Sequence, residues 1–229
     1  MSRKKKIISI VGAIAITAAL AVAGTYAMLA RRTTEITNNF VSSSRLCSSI
    51  NILENNVTQN TNGSYSLASG TSHGNAYKVV SNTAIAKNPY IDITAKTDIP
   101  SYLYVEAVDT VSGKGGVSWE IDSDNWEELS GITGKNNGKV WVYKGTQYSN
   151  GDGIIKSGST NPVNMTGINI IKNGVINVAA QSSTANSADI YVLDQSGNKQ
   201  PLTLDFHAYL AQASAADTPE HVFTACFGS

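Results

Sequence analysis

Three histidines, one acidic run and two cysteines are the side chains of this 229-residue chain that suggest chemistry. His73, His207 and His221 fall in no HExxH arrangement, so the helix that holds zinc and a general base in metalloproteases is missing. Asp205 and His207 are two positions apart in an alternating run. On a strand both point the same way, about 7 Å apart at the usual rise. Such a pair suits a base with its carboxylate, or a metal, but on an alternating strand it reads first as a solvated face. His73 falls in a polar stretch and is expected at the surface. Asp122-Ser123-Asp124-Asn125, with Glu127 and Glu128, offers calcium-type ligands. An EF-hand loop needs acidic or amide residues at alternate positions, a central Gly and a closing Glu. The series Asp122, Asp124, Trp126 breaks that pattern, and a turn between strands is the expected role. Gly113-Lys114-Gly115-Gly116 lacks the earlier Gly, and the Ser or Thr after the Lys, of a phosphate-binding loop. Serine-hydrolase chemistry is not expected either. No catalytic residue, metal or cofactor is assigned, and the chain is not read as an enzyme.

Cys47 and Cys226 stand far apart in the sequence. In an exported protein they could close one long loop, a constraint of about 4–5 kcal/mol in the chain-entropy picture. Alternatively, each is a small buried thiol. Spacing leaves both open, because bridging depends on Cα atoms coming within about 7 Å. Tyr102, Tyr104, Trp119, Trp126, Trp141, Tyr143 and Tyr148 could line a sugar-binding face. On sandwich strands such rings more often form cross-strand pairs and cover the core.

Export is written into the first 27 residues. Arg3-Lys4-Lys5-Lys6 precede an apolar run from Ile7 to Ala23, and Gly24-Thr25-Tyr26-Ala27 follows. That is the order of a secretory signal peptide: basic region, apolar region, small-residue cleavage site. Cleavage is expected between Ala27 and Met28. The 17-residue run is at the lower limit of the roughly 17–25 residues that span a bilayer. It is rich in Ala and Ile rather than Leu and Phe, which favours cleavage over anchoring. Removing 27 of the 229 residues leaves 202, the size of one all-β domain. The chain has 17 basic and 17 acidic residues; four of the basic ones are in the leader, so the mature chain has 13 against 17, a net charge of −4. That gives no basic patch for nucleic acid and suits a soluble secreted protein.

The elements that must position any site read as strands. Residues 90–96 put Ile91, Ile93 and Ala95 on one face and Asp92, Thr94 and Lys96 on the other. Residues 101–107 put Leu103, Val105 and Ala107 inward, and these two runs read as neighbouring strands. Lys139–Tyr143 follows an Asn136-Asn137-Gly138 turn; residues 175–179 and 189–193 add two more strands. In residues 202–210, Leu202, Leu204, Phe206, Ala208 and Leu210 share a face. Such faces need a second sheet to cover them, so the expected fold is an all-β antiparallel sandwich. Residues 55–76 and 144–167 are polar and read as long loops. Thr218 as N-cap, Pro219 at the first position and Gly228 as stop predict a short C-terminal helix. The chain thus divides into a signal peptide (1–27), an N-terminal segment (28–41) and one sandwich domain (42–229).

Several of these residues together resemble the TasA/camelysin family. They are Gly24-Thr25-Tyr26-Ala27, then Thr37-Asn38-Asn39-Phe40, then Ile50-Asn51-Ile52-Leu53-Glu54. Further along come Lys87-Asn88-Pro89-Tyr90-Ile91 with Ser101-Tyr102-Leu103-Tyr104-Val105, and Trp119, Trp126 and Trp141-Val142-Tyr143-Lys144-Gly145. Leu202-Thr203-Leu204 with Ala208-Tyr209-Leu210-Ala211-Gln212 is similar to the family's last strand. Ser42-Ser43-Ser44 departs from the Gly usual after the Phe segment, and Cys47 and Cys226 are no family hallmark. The resemblance implies secretion by a Gram-positive bacterium, cleavage by a signal peptidase of the endoplasmic-reticulum type, and a jelly-roll-like sandwich with short helices. It implies assembly with identical subunits into biofilm-matrix fibres by donor-strand exchange, and it allows related matrix or anchoring proteins as further partners. The candidate donor is 28–41, in which Thr34, Ile36, Asn38 and Phe40 share a face when extended. The metalloprotease activity described for camelysin is not carried over. The other reading is a monomeric cell-surface adhesin that binds glycan or host protein.

Overall fold

The computed structural model describes residues 31–32, 49–94, 99–114, 116–149, 153–155, 165–180, 191–193, 195–213 and 217–228. Its alternating runs pair into two main sheets. The first is ordered β1 (Arg31–Arg32), β15 (Leu204–Gln212), β6 (Ser101–Asp109), β9 (Lys139–Tyr143) and β8 (Trp126–Thr133), with β10 (Ile154–Ile155) also paired to β6. The second is ordered β11 (Met165–Asn169), β5 (Tyr90–Thr94), β2 (Ser49–Gln59), β3 (Tyr65–Ser72), β4 (Thr83–Ala86), β12 (Val175–Val178) and β7 (Val117–Ser118). β13 (Tyr191–Leu193) pairs with β14 (Lys199–Pro201). Among the described strands only β3 and β4 run parallel, meeting at Tyr65 and Ile85. The fold is an all-β antiparallel sandwich, as the alternation predicts.

The inner faces interlock. Leu103, Val105, Trp126, Trp141, Tyr143, Ala208 and Leu210 from the first sheet pack against Ile50, Ile91, Ile93, Met165 and Ile168 from the second. Such side chains contribute roughly 1.5–3 kcal/mol each on burial. A third layer covers the outer face of the first sheet. This is α1 (Pro219–Phe227), whose Val222, Phe223 and Phe227 pack on Tyr102, Tyr104, Val140, Val142, Tyr209 and Ala211. The helix begins as its sequence predicts. Thr218 Oγ1 accepts from the His221 amide at 3.3 Å, and the Gly228 amide donates back to the Thr224 carbonyl at 3.0 Å.

Three expectations need correction. The strands at 90–94 and 101–109 are not neighbours: β5 pairs with β2 and β11, β6 with β15, β9 and β10, and the two face each other across the core. Alternation fixes which side of a strand is apolar, not which strand lies beside it. Within 55–76, β2 and β3 form a hairpin, not a loop. Asn60 Nδ2 donates to Ser64 Oγ and Ser66 Oγ, each at 2.9 Å, and Gly63 takes φ +85° at the turn. This hairpin has little apolar period because much of β3 is exposed. Within 144–167, β10 and the start of β11 are strands.

Candidate assembly site

β15 is the strand on which an assembly reading turns. All nine of its residues pair with β6, from Leu204 opposite Asp109 to Gln212 opposite Ser101. Its other edge carries β1, with Arg31 opposite Leu210 and Arg32 opposite Tyr209. The N-terminal segment thus borders the first sheet, where a row of backbone donors and acceptors is offered to an added strand.

That edge lies between two packed layers. On the inner side Ala208 and Leu210 are fully buried in the inter-sheet core. On the outer side Tyr209 lies beneath α1, its ring 5.5 Å from Phe223 and 4.9 Å from Phe227. Tyr104, opposite Tyr209, donates its hydroxyl to the Pro219 carbonyl at 3.0 Å. Tyr102 does the same to the Asp217 carbonyl at 3.3 Å. The helix is therefore held to the sheet by both ring packing and hydroxyls, and β15 cannot shift without disturbing both layers.

A buried carboxylate fixes the middle of the sheet. Glu106 on β6 is 0 % exposed, opposite His207. It accepts from Tyr209 Oη at 2.5 Å, Gly138 N at 2.9 Å, Asn136 N at 2.8 Å and Asn136 Nδ2 at 2.9 Å. Burial pushes this carboxyl up, but the bonds from Tyr209, Gly138 and Asn136 outweigh it and hold it below its ordinary value. The charge ties the β8–β9 turn to both β6 and β15. The turn allows this approach because Asn137 takes φ 63° and Gly134 and Gly138 have no Cβ; one at Gly134 would overlap the Glu106 carboxyl carbon.

Compared with family models, curated proteins and solved structures, this chain matches none.

Of the residues singled out in the sequence, the segment 28–41 enters the described structure only through Arg31–Arg32. Ala27, Met28, Thr34, Ile36, Asn38, Phe40 and Cys47 lie outside the described residues, and with Cys47 lies the bridge to Cys226. Cys226 is half-buried on α1, and burial pushes its thiol up to about 11. Asp205 is exposed and His207 half-buried on β15. His73 is exposed, with Nδ1 3.2 Å from the Ile52 carbonyl, and His221 Nδ1 lies 2.7 Å from Asp217 Oδ1. In the acidic run, Asp122 Oδ2 accepts from Asn125 Nδ2 at 2.7 Å, while Glu127 and Glu128 pair with Lys144 and Lys139.

The seven aromatic side chains singled out in the sequence are all buried or half-buried. Trp126, Trp141, Tyr102, Tyr104 and Tyr143 are buried, and Trp119 is edge-on to Trp141 and Phe206. Five of these rings fill the space between layers, and Trp119 and Tyr148 pack half-buried against the core. One motif escapes the sequence reading. Gly70-Thr71-Ser72-His73-Gly74 has the spacing of a hydrolase elbow, but that elbow needs a strand-to-helix turn. Here it ends β3, and Ser72 Oγ donates to the Gly74 carbonyl at 3.3 Å. Also missed are Glu106 and a buried group around Glu54 and Lys87. Glu106 had a signal, a lone acid inside the apolar run 102–108; Glu54 and Lys87 are too far apart in sequence to suggest each other.

Proposed function

We propose that the mature chain is a secreted structural subunit that forms extracellular fibres by strand donation. The N-terminal segment of one copy completes the β15 edge of the next. The observation that carries this reading is the pairing of Arg31–Arg32 with Leu210 and Tyr209, a few residues after the expected cleavage site. A strand at a sheet edge is exchangeable, because an identical segment from another copy makes the same backbone bonds. Exchange in one direction leaves a free edge at one end and a free donor at the other, and such contacts build filaments. Cleavage before Met28 fits this scheme, since only a released N-terminus can reach a neighbour.

The test is negative-stain microscopy of three purified forms: residues 28–229, the same chain with residues retained before Met28, and a chain lacking 28–41. Fibres are expected from the first form alone. Normal fibres from the form lacking 28–41 would overturn strand donation.

A further inference from the structure

Away from the β15 edge lies a group of buried polar side chains that assembly does not use. Glu54 on β2 is 3 % exposed and Lys87, just after β4, is 9 % exposed. Lys87 Nζ meets Glu54 Oε2 at 2.8 Å. The other oxygen, Glu54 Oε1, accepts from Asn75 Nδ2 at 2.8 Å. Asn75 Nδ2 also donates to the Asn55 carbonyl at 2.9 Å, so two acceptors fix which end of its carboxamide faces Glu54. One carboxylate therefore holds an amine on one oxygen and a carboxamide on the other.

Tyr77 closes the group. Its ring centre is 5.5 Å from Lys87 Nζ, and its hydroxyl is buried without a hydrogen-bond partner of ordinary geometry among the described residues. Burial and then the Glu54 charge push the Tyr77 hydroxyl up, with the Asn75 carboxamide offsetting part of the effect, so it stays protonated. A protonated hydroxyl beside Asn75 is a donor for an oxygen that gains charge.

We propose that Lys87 and Asn75 are joined by an intramolecular amide bond that the folded chain forms by itself, with Glu54 as the catalytic residue. Glu54 takes a proton from the Lys87 ammonium, which leaves an amine with a free electron pair. That nitrogen attacks Asn75 Cγ, a C–N bond forms, and the carbonyl electrons move onto Oδ1, where Tyr77 donates. The electrons return, the Cγ–Nδ2 bond breaks, and Glu54 passes its proton to the departing nitrogen. A second proton from the Lys87 nitrogen leaves with it, so the leaving group departs as ammonium and Glu54 is again a carboxylate. No oxidant, nucleotide or metal enters the balance. Glu54 and Lys87 are shielded from bulk water, and holding both groups on one carboxylate makes the step unimolecular. The bond would clasp β4, tying the segment that precedes it to the residue that follows it.

The test is the intact mass of the purified, folded chain, followed by peptide mapping. The expected mass is one ammonia below that of the sequence, with a branched peptide joining the segments that contain Asn75 and Lys87. Asn75→Ala keeps the Glu54–Lys87 pair and should show the full sequence mass. Asn75→Asp should lose one water instead of one ammonia. Glu54→Gln and Lys87→Arg should also keep full mass, but only Asn75→Ala leaves the Lys87–Glu54 ion pair intact and so guards against misfolding. A full sequence mass for the folded wild type after prolonged incubation at neutral pH would overturn the proposal. So would an ammonia loss that persists in Asn75→Ala, which would belong to a succinimide at an Asn-Gly pair such as Asn62-Gly63.

Discussion

A carboxylate in the middle of an apolar strand is costly to bury unless its oxygens are satisfied. Glu106 meets this condition with four hydrogen bonds from Tyr209, Gly138 and Asn136. Glu106→Gln removes the charge and turns one acceptor into a donor facing donors. The expected cost is about 2–4 kcal/mol, read as a lower urea midpoint with unchanged slope. The pH dependence has a definite sign. A carboxyl held below its ordinary value of 4.5 when folded contributes stability that is fully present above that value and fades as pH falls toward the folded value. The gap between wild type and Glu106→Gln should therefore narrow in acid; a gap constant from about pH 7 to about pH 3 would contradict the ionised clamp. Sequence showed a charge in an apolar strand but not its partners, because Asn136 and Gly138 arrive from another hairpin. The glycines give an independent check. A Cβ at Gly134 would overlap Glu106, whereas one at Gly74 meets nothing within 4 Å. Gly134→Ala should cost about 1–3 kcal/mol and Gly74→Ala less than about 0.5 kcal/mol, measured by thermal unfolding.

At the scale of elements, the strands that were legible are those with one polar and one apolar face, such as Tyr90–Thr94. Ser101–Asp109 was found as a strand, but its residues 101–107 are buried on both faces because α1 covers the side that alternation assigns to solvent. The β2–β3 hairpin was hidden since its Asn, Ser and Thr side chains make turn and edge contacts without an apolar stripe. The β1–β15 pairing is the element on which the proposed strand donation rests, and cysteine cross-linking tests it. Opposed antiparallel residues have Cα atoms about 4.5–5.5 Å apart, within disulfide range. Arg31→Cys with Leu210→Cys, in a chain where Cys47 and Cys226 are Ser, should bridge within one chain when the protein is monomeric. In fibres the same pair should give a ladder of covalent oligomers on a non-reducing gel. A bridge that stays within single chains in mature fibres would place the segment permanently on its own subunit and rule out donation.

Among the described residues the body of the molecule is three layers, the two main sheets and α1, and Arg31–Arg32 borders the middle layer. The layering follows from patterning, since each apolar face needs a cover. The strand order does not, because pairs such as β6 with β15 join residues about a hundred positions apart and no local signal records them. Under the proposed strand donation, a growing filament would have two unequal ends: one offering a vacant β15 edge, the other an unplaced donor. A synthetic peptide of residues 28–41 can occupy only the vacant edge, and a chain lacking 28–41 can accept a donor but pass none on. Each should therefore stop growth at one end while leaving existing fibres intact. Added to seeded elongation followed by light scattering, the peptide should lower the rate in a saturable way, and a scrambled peptide of the same composition should not. The truncated chain should act at a small fraction of the subunit concentration, because one copy blocks one end. An elongation rate unchanged at saturating peptide and by the truncated chain would mean that subunits meet through some surface other than the β15 edge.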